Sequence, residues 1–364
     1  MADTSQHEGP SRGSKLKRRL LPLGVLGIAA VALTWWRAPQ QTLATEGAPG
    51  AATRDLTSVS GAIFGTTWNV KVVGESPDSE GLASRLDGRL RRLDEVLSTY
   101  REDSALMWLN RAPKGEWVNL APELHEVLTI SKSVHRLSEG AFDPTVGRLV
   151  RAWGFGPDPR PSRAPDVAKL MSSVGFHHLE LHPSDMKARW LRQGVDLDLS
   201  AVAKGYAVDQ LSQLLDSEGL TRHMVEIGGE VRTHGAGPTG DAWRIGVETP
   251  DARPKREAAV AVSLHDRAMA TSGDYRNFYQ VDGDVVSHTI DPVTGSPVTH
   301  DLGSVTVIST TAAEADAWAT ALNVLGPVRG EAIASRAGLD YMMIVRTGDA
   351  FRQVLSPGFS AMAD

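Results

Sequence analysis

The chain has 364 residues, of which 41% are hydrophobic and 23% are charged, and its formal net charge is -6. This composition is that of an ordinary globular protein, and the acidic balance argues against a nucleic-acid-binding surface. The sequence contains no cysteine, which excludes disulfides, thiolate metal ligands and a cysteine nucleophile.

The N-terminal region carries an apolar segment, LLPLGVLGIAAVALTWW at residues 20–36, directly after a basic cluster. This pattern predicts a membrane anchor or a cleaved export signal, since the tripeptide AVA within it suits a signal peptidase. We expect residues 1–37 to be this signal or anchor and residues 38–58 to be a flexible linker rich in Pro, Gly and Ala. Residues 59–364 would then fold in the periplasm, tethered to the inner membrane by the apolar segment unless it is cleaved.

In the body of the chain, predicted strands and amphipathic helices are clustered rather than strictly alternating. AIFGTTWNVKVV predicts a strand, and LASRLDGRLRRLDEVLSTY and LHEVLTISKSVHRLSEG predict helices. Predicted strands such as HMVEIGGEVRTHG and GSVTVIST dominate the second half, before a closing helix in EADAWATALNVL. We therefore predict an α+β fold rather than a doubly wound sheet.

The segment VDLDLSAVAKGYAVDQLSQLL, residues 195–215, predicts a helix with an unusual concentration of charge near its start. The segment contains Asp196, Asp198, Lys204 and Asp209, and Asp198 and Lys204 flank Ser200, which could cap the helix. Such groups at a helix N-terminus could hold an anion or a metal by charge and by free backbone groups. The phosphate-binding pattern G-x-x-x-x-G-K-[ST] is missing from the sequence. The one G-x-G-x-x-G, GAGPTG at residues 235–240, leads into a predicted strand rather than a helix, so a bound nucleotide would not use those loops.

A second helix start lies in TTAAEADAWATALNVLGP. Thr311 and Glu314 form a capping box, and the Gly-Pro pair at the end predicts the helix terminus. Asp316 and Thr320 lie four residues apart on one face, and their hard oxygen atoms suit Mg²⁺. The same pattern also fits an Asp that is favoured by the helix dipole and a Thr that only packs.

Two Asp-Pro steps, at Asp143 in GAFDPTVG and at Asp291 in HTIDPVTG, predict carboxylates on fixed bends. His288 lies three residues before the second Asp. Either step alone fits a structural Asx turn. The segments EIGGE and TSGDYRN add glycines where the backbone must bend or approach another group closely.

In their order along the chain, these segments resemble the flavin transferases of the ApbE type, which move FMN from FAD onto a protein. The resemblance runs through FGTTWNV, LSTYREDS, EGAFDPTVG, WGFG, DLDLSAVAKGYAVD, EIGGE, TSGDYRN, HTIDPVTG, SVTVI and EADAWAT, which span essentially the whole folded body. It implies the α+β fold of that family, FAD as substrate, Mg²⁺ as metal, and an acceptor flavoprotein of a membrane-linked electron-transfer system.

The resemblance also implies which residues form the site. The FAD contacts that it implies are Phe64, Tyr100, Ala141, Phe142, Asp143, Asp198, Lys204 and Ile290. The Mg²⁺ ligands that it implies are the backbone carbonyl of Ala201 and the side chains of Asp316 and Thr320. His288 matches the position of a general base, and a turn histidine bonded to Asp291 is the alternative.

The implied reaction cleaves the pyrophosphate of FAD, leaves FMN esterified to a Thr or Ser hydroxyl of the acceptor, and releases AMP. Two alternatives would use the same residues. One is a Mg²⁺-dependent FAD pyrophosphatase that gives free FMN and AMP, and the other is a flavin-binding protein without catalysis. Most members of the family are lipoproteins whose signal ends in a cysteine, and this chain has none.

Overall fold

The computed structural model describes residues 55–74, 78–156, 160–161, 163–250, 258–273, 278–281, 284–348 and 350–364. The predicted signal or anchor at residues 1–37 and the linker up to residue 54 lie outside the described residues, as does Tyr275 of TSGDYRN. Across the described part of the chain, no helix is both long enough and apolar enough to cross a membrane.

The described residues form strands and helices that are clustered along the chain. The strands are β1 (Leu56–Ile63), β2 (Thr66–Val73), β3 (Val118–Asn119), β4 (Leu179–Leu181), β5 (Lys187–Trp190), β6 (His223–Ile227), β7 (Glu230–His234), β8 (Trp243–Glu248), β9 (Ala258–Leu264), β10 (Ala268–Gly273), β11 (Phe278–Val281), β12 (Asp284–Ser287), β13 (Leu302–Ser309), β14 (Asp340–Thr347) and β15 (Ala350–Leu355). The α-helices are α1 (Ser79–Leu97), α2 (Ala105–Asn110), α3 (Pro122–Leu137), α4 (Gly147–Ala152), α5 (Val167–Met171), α6 (Ser200–Ser217), α7 (Ala312–Ala337) and α8 (Pro357–Met362). The first strand begins at Leu56, three residues before the predicted start of the domain.

An eight-stranded sheet in the order β1-β2-β6-β7-β10-β13-β14-β15 organises the fold. Every neighbouring pair in it is antiparallel. Smaller sheets pair β8 with β9, β11 with β12, and β5 with both β3 and β4. Antiparallel strands with helices in separate runs make a mixed α+β fold, so the predicted class is confirmed.

Apolar side chains cover both faces of the large sheet. On one face, the main core combines strand residues such as Val225 and Val307 with the leucines of α1 and the small residues of α6 and α7. On the other face, β8, β9 and α8 contribute a second cluster that includes Trp243 and Phe359. Because both faces are covered, β6 is buried at every position and β13 at all but its last. This sheet is the rigid support for α6 and α7.

Gly205 lies where α6 and α7 approach each other closely. A Cβ atom at this position would lie 2.2 Å from the carbonyl oxygen of Ala312. We expect Gly205→Ala to destabilise the protein by about 1–3 kcal/mol, since overpacking must push backbone against backbone. Gly88→Ala on the exposed side of α1, where a Cβ would meet open space, is the matched control and should stabilise by about 0.5–1 kcal/mol. Urea unfolding measures both, and equal stabilities for the two variants would contradict this packing.

Candidate functional site

The start of α7 positions two of the predicted metal ligands. Thr311 is the N-cap and accepts a hydrogen bond from the amide of Glu314 at 3.3 Å, as the capping box predicts. The Glu314 carboxylate instead accepts from the Ser309 hydroxyl at 3.0 Å. The predicted end at Gly326 is a kink, with φ of 70°, after which the chain is helical again as far as Ala337. The regular part of α7 therefore runs from its cap past Thr320.

Asp209 of α6 binds the N-terminus of α7. Its two carboxylate oxygens accept the amides of Ala312 and Ala313, each at 2.9 Å, and it also pairs with Arg232 of β7. Burial raises the pKa of Asp209, while the two amides and the guanidinium act in the opposite direction. Free amides at a helix N-terminus favour an anion, so Asp209 serves as a cap supplied by another helix. Asp209, to which the sequence alone assigns no role, therefore joins the N-terminus of α7 to α6 and β7.

Asp316 lies one turn into α7 and is buried against α6. Its carboxylate accepts the backbone amide of Gly205 at 3.0 Å. Gly205 lies one turn after Ala201 in α6, so Asp316 contacts α6 next to the turn that carries the Ala201 carbonyl. Thr320, one turn further along α7, has its hydroxyl 3.3 Å from that of Ser272 in β10.

Lys204 and Glu230 complete a buried ionic group with Asp316. The Lys204 ammonium is 2.7 Å from Oε1 of Glu230 and 4.0 Å from Oδ1 of Asp316. Glu230 and Asp316 are both almost fully buried, and burial raises the pKa of each carboxyl, whereas the Lys204 charge opposes the rise. Oε2 of Glu230 is buried, and no described residue provides it with a hydrogen-bond partner.

These groups suit a hard divalent cation. The donors are the buried carboxylate of Asp316, the hydroxyl of Thr320 and the carbonyl of Ala201, all of them oxygen atoms of the kind that Mg²⁺ takes. Beside these donors, Oε2 of Glu230 is a buried acceptor that has no hydrogen-bond partner among the described residues. The residues present therefore fit the metal that the sequence predicts.

A small cleft lies beside the first turn of α6. It is lined by Thr99, Tyr100, Gly147, Arg151, Phe155, Gly156, Leu197, Asp198 and Ser200. Tyr100 is 62% exposed, and its hydroxyl donates to the carbonyl of Phe155 at 3.4 Å. Burial of the phenol raises the pKa of Tyr100, and the charge of Asp198 adds to the rise. An exposed aromatic ring at the rim of a cleft can stack on a flat ligand.

Asp198 shapes the entrance to α6 with both its backbone and its side chain. The carboxylate accepts from the amide and the hydroxyl of Ser200, at 2.9 and 2.6 Å. The prediction that Ser200 caps α6 is wrong, because Leu199 is the N-cap and Ser200 is the first helical residue. The amide of Asp198 donates to the carbonyl of Pro144 at 2.7 Å, which places the Asp143-Pro144 bend against the cleft.

The residues of that bend are mostly buried. Ala141 and Phe142 lie in the main core. The Asp143 carboxylate accepts from the amide and hydroxyl of Thr145 and from the amide of Phe176, at 2.6–3.0 Å. Its side chain therefore holds the loop in an Asx turn.

Phe64 and Ile290 occupy the turns on either side of the site. Phe64 has a φ of 51°, which is uncommon for a residue other than glycine, and it begins the turn that joins β1 to β2. A Cβ at Gly228 would lie 3.0 Å from Thr66, which follows this turn, and 3.5 Å from the stem of Lys204, so Gly228 lies near both residues. Ile290 is buried in a small apolar cluster that also holds Phe155 at its edge.

His288 follows β12 and is half-buried. Its ring lies edge-on to that of Phe155, with the ring centroids 6.2 Å apart, so it borders the cleft that Tyr100 and Asp198 line. The Asp291 carboxylate accepts from the amide of Val293 at 2.8 Å and from the hydroxyl of Thr294 at 3.0 Å. The second Asp-Pro step is thus an Asx turn that fixes the chain directly after His288.

The predicted residues therefore fall into two neighbouring groups along the first turns of α6. One is the buried ionic group of Lys204 and Asp316 with the carbonyl of Ala201, and the other is the cleft of Tyr100 and Asp198. Sequence reasoning missed Glu230 and Asp209 as members of this arrangement. The signals were present, since EIGGE contains the first and the charged helix start contains the second.

A second cluster of metal-ligating side chains lies at the far end of α6. Asp216, His223 and His234 place one ligand atom each within 4.8 Å of one another. Both nitrogens of His223 are already bonded, to the carbonyl of Leu220 at 2.6 Å and to the hydroxyl of Ser212 at 2.8 Å. Burial lowers the pKa of His223, and His234 pairs with Asp216. The hydrogen bonds of this cluster join α6, β6 and β7.

Comparison with known proteins places this arrangement in a family context. The model of the ApbE family matches residues 64–343. The FAD:protein FMN transferase of Klebsiella pneumoniae (strain 342) is 38% identical over 317 residues, which cover 85% of this chain and 90% of the relative. That of Escherichia coli (strain K12) is 36% identical over 329 residues, covering 89% and 91%.

Solved structures agree with the sequence relatives. The flavin transferase ApbE from Vibrio cholerae superposes with a TM-score of 0.78 at 35% identity, and the match covers 85% of this chain and 99% of that one. The flavinyl transferase ApbE from Pseudomonas stutzeri in its apo form gives a TM-score of 0.77 at 35% identity, covering 85% and 98%.

Proposed function

This chain belongs to the ApbE family, and we infer that it transfers FMN from FAD onto an acceptor protein. The acceptor hydroxyl oxygen bonds to the phosphorus of the FMN half, and the bond from that phosphorus to the bridging oxygen breaks. AMP leaves with the bridging oxygen, and the hydroxyl proton passes to a base. The observation that carries this function is the buried ionic group of Lys204, Glu230 and Asp316 directly beside a small cleft.

The ionic group is the place for Mg²⁺, with Asp316, Thr320 and the carbonyl of Ala201 as its ligands. Displacement at a pyrophosphate needs charge neutralisation and in-line positioning more than covalent chemistry by the enzyme. When bound, the metal would supply that neutralisation as a Lewis acid. Support comes from the burial of Asp316 and from its hydrogen bond to the Gly205 amide, one helical turn after Ala201.

The cleft beside α6 is the place for FAD. The exposed ring of Tyr100 offers a stacking surface, and Asp198 offers hydrogen-bond acceptors at the cleft wall. Lys204 lies three residues after Ala201 in the same helix, and its positive charge suits a phosphate. Phe64, Ile290 and the backbone of residues 141–143 would complete the contacts from the neighbouring turns.

His288 is the general base of this proposal. Support comes from its ring, which lies 6.2 Å from that of Phe155, a residue that lines the cleft. A neutral imidazole can take the hydroxyl proton as the oxygen attacks, and a positioned base typically contributes about 10² to 10⁴ in rate. The Asx turn at Asp291 holds the following residues, which keeps this segment in place.

The cellular setting is also a proposal. The apolar segment at residues 20–36 supports a periplasmic enzyme, tethered to the inner membrane unless the segment is cleaved. An acceptor flavoprotein of a membrane-linked electron-transfer system would share that side of the membrane. Fractionation of cells that express the full chain tests this setting, and recovery of the protein from the cytosol would contradict it.

Incubation with FAD, Mg²⁺ and a candidate acceptor tests the function against its two alternatives. Mass spectrometry of the acceptor should show the mass of FMN less one water on a Thr or Ser. Free FMN and AMP with an unmodified acceptor would instead identify a pyrophosphatase. Unchanged FAD that remains bound to the protein would identify a binding protein without catalysis.

A further inference from the structure

Glu230 lies at the start of β7, directly after the turn of Gly228 and Gly229, and it is only 3% exposed. The Lys204 ammonium lies between two buried carboxylates but is unequally shared, at 2.7 Å from Glu230 and 4.0 Å from Asp316. A contact at the first distance is a charge-assisted hydrogen bond, and the second distance is too long for one. Lys204 is therefore held by the carboxylate that has no place among the predicted metal ligands.

We propose that Glu230 is a positioning residue of the metal site, which holds Lys204 away from Asp316 and so leaves the Asp316 carboxylate available to Mg²⁺. This inference rests on the proposed metal site. It gives a role to a residue that is not among the FAD contacts, metal ligands and general base that the resemblance implies.

The physical reason is competition between two cations for one carboxylate. Lysine has a long, flexible stem, and its ammonium binds whichever acceptor lies within reach. If Glu230 lost its charge, Asp316 would be the other carboxylate that the described residues bring within ion-pair distance of Lys204. An ion pair in a poorly solvated site is much stronger than one in water. A divalent cation would then have to displace Lys204 before it could bind.

The backbone at Gly228 limits how far the side chain of Lys204 can move. Gly228 has a φ of 64°, and a Cβ there would lie 3.5 Å from Cδ of Lys204. The loop thus packs against the stem of Lys204, and the sheet that carries Glu230 fixes its distance from α6. The charge of Glu230 and this packing both contribute to the position of the ammonium.

A double-mutant cycle tests this role without any need for turnover. Mn²⁺ binding, measured by electron paramagnetic resonance without FAD, serves as the probe for the metal site in four proteins: wild type, Glu230→Gln, Lys204→Met and the double variant. Simple loss of a nearby charge would weaken binding equally whether or not Lys204 is present. We expect the loss caused by Glu230→Gln to be about tenfold larger when Lys204 is present than when it is Met, a coupling typical of residues in contact.

Glu226→Gln is the matched control, because Glu226 lies in the same segment but bonds to Asn69 and to the amide of Gly229. Its effect on Mn²⁺ binding should be the same with and without Lys204. If Glu230→Gln does not fold, Glu230→Asp allows the same comparison, because it withdraws the carboxylate by one methylene. Equal losses in the two Lys204 backgrounds would overturn the positioning role. Wild-type protein that binds no Mn²⁺ would overturn the proposed metal site itself, and the inference with it.

Discussion

Asp316→Ala is expected to slow FMN transfer by at least about a thousandfold, since the Lewis acidity of a bound metal is worth several kcal/mol in the transition state. Asp316 is the one charged side chain among the predicted ligands, and no other predicted ligand can replace its charge. The fold should survive, at a cost of about 1–3 kcal/mol for the amide of Gly205 that loses its acceptor. Acceptor labelling over a range of Mg²⁺ concentrations measures the first effect, and urea unfolding measures the second.

Asp316→Asn removes the charge of residue 316 and keeps an acceptor for its hydrogen bond with the Gly205 amide. The amide oxygen can still accept from Gly205, so stability should stay closer to wild type than in the Ala variant, whereas transfer should remain lost. A variant of either kind that labels the acceptor at the normal rate when Mg²⁺ is limiting would show that Asp316 does not bind the metal.

His288→Asn should slow transfer by about 10² to 10⁴ and leave the affinity for FAD close to that of wild type. Asn can keep a hydrogen bond in the space of the imidazole, but it has no basic nitrogen. FAD binding should survive because Tyr100, Asp198 and Lys204 lie on other elements. Equilibrium titration of FAD fluorescence measures binding, and single-turnover labelling of the acceptor measures transfer.

The pH dependence of the same pair of proteins tests the role of His288 directly. A histidine base works only in its neutral form, so the wild-type rate should rise with pH as the base loses its proton. In the Asn variant this rise should be absent. A variant that transfers at the full rate, or one that no longer binds FAD, would show that His288 is structural.

Periodicity and caps were enough to predict the class of the fold and several of its elements. α1 buries Leu82, Leu86 and Leu90 at helical spacing, as its sequence predicts. The Gly-Pro signal at Gly326 predicted only part of the local structure. The glycine does break α7, but the proline after it can begin another helix, and packing of Ile333 and Ala334 in the core keeps the chain helical.

Some residues of the site could also be predicted from the sequence, and others could not. Asp316 and Thr320 could be paired from the sequence because a helix places residues four apart on one face. Glu230 could not be assigned, because its contact with Lys204 depends on where the sheet lays β7 beside α6. Asp209 was visible as a charge within a helix that is otherwise buried, but its partners on α7 come from tertiary packing alone. For Asp143, the structure favours the local Asx turn as the task of the side chain.

The ratio of AMP released to FMN bound covalently to the acceptor tests the central claim most directly. Transfer forms one phosphoester for each pyrophosphate that is cleaved, so AMP counted by chromatography should equal the FMN counted on the acceptor by intact-protein mass spectrometry. Both quantities should fall together in Asp316→Ala and in an acceptor that lacks the modified hydroxyl. Release of AMP together with an equal amount of free FMN, with the acceptor unmodified, would contradict the account.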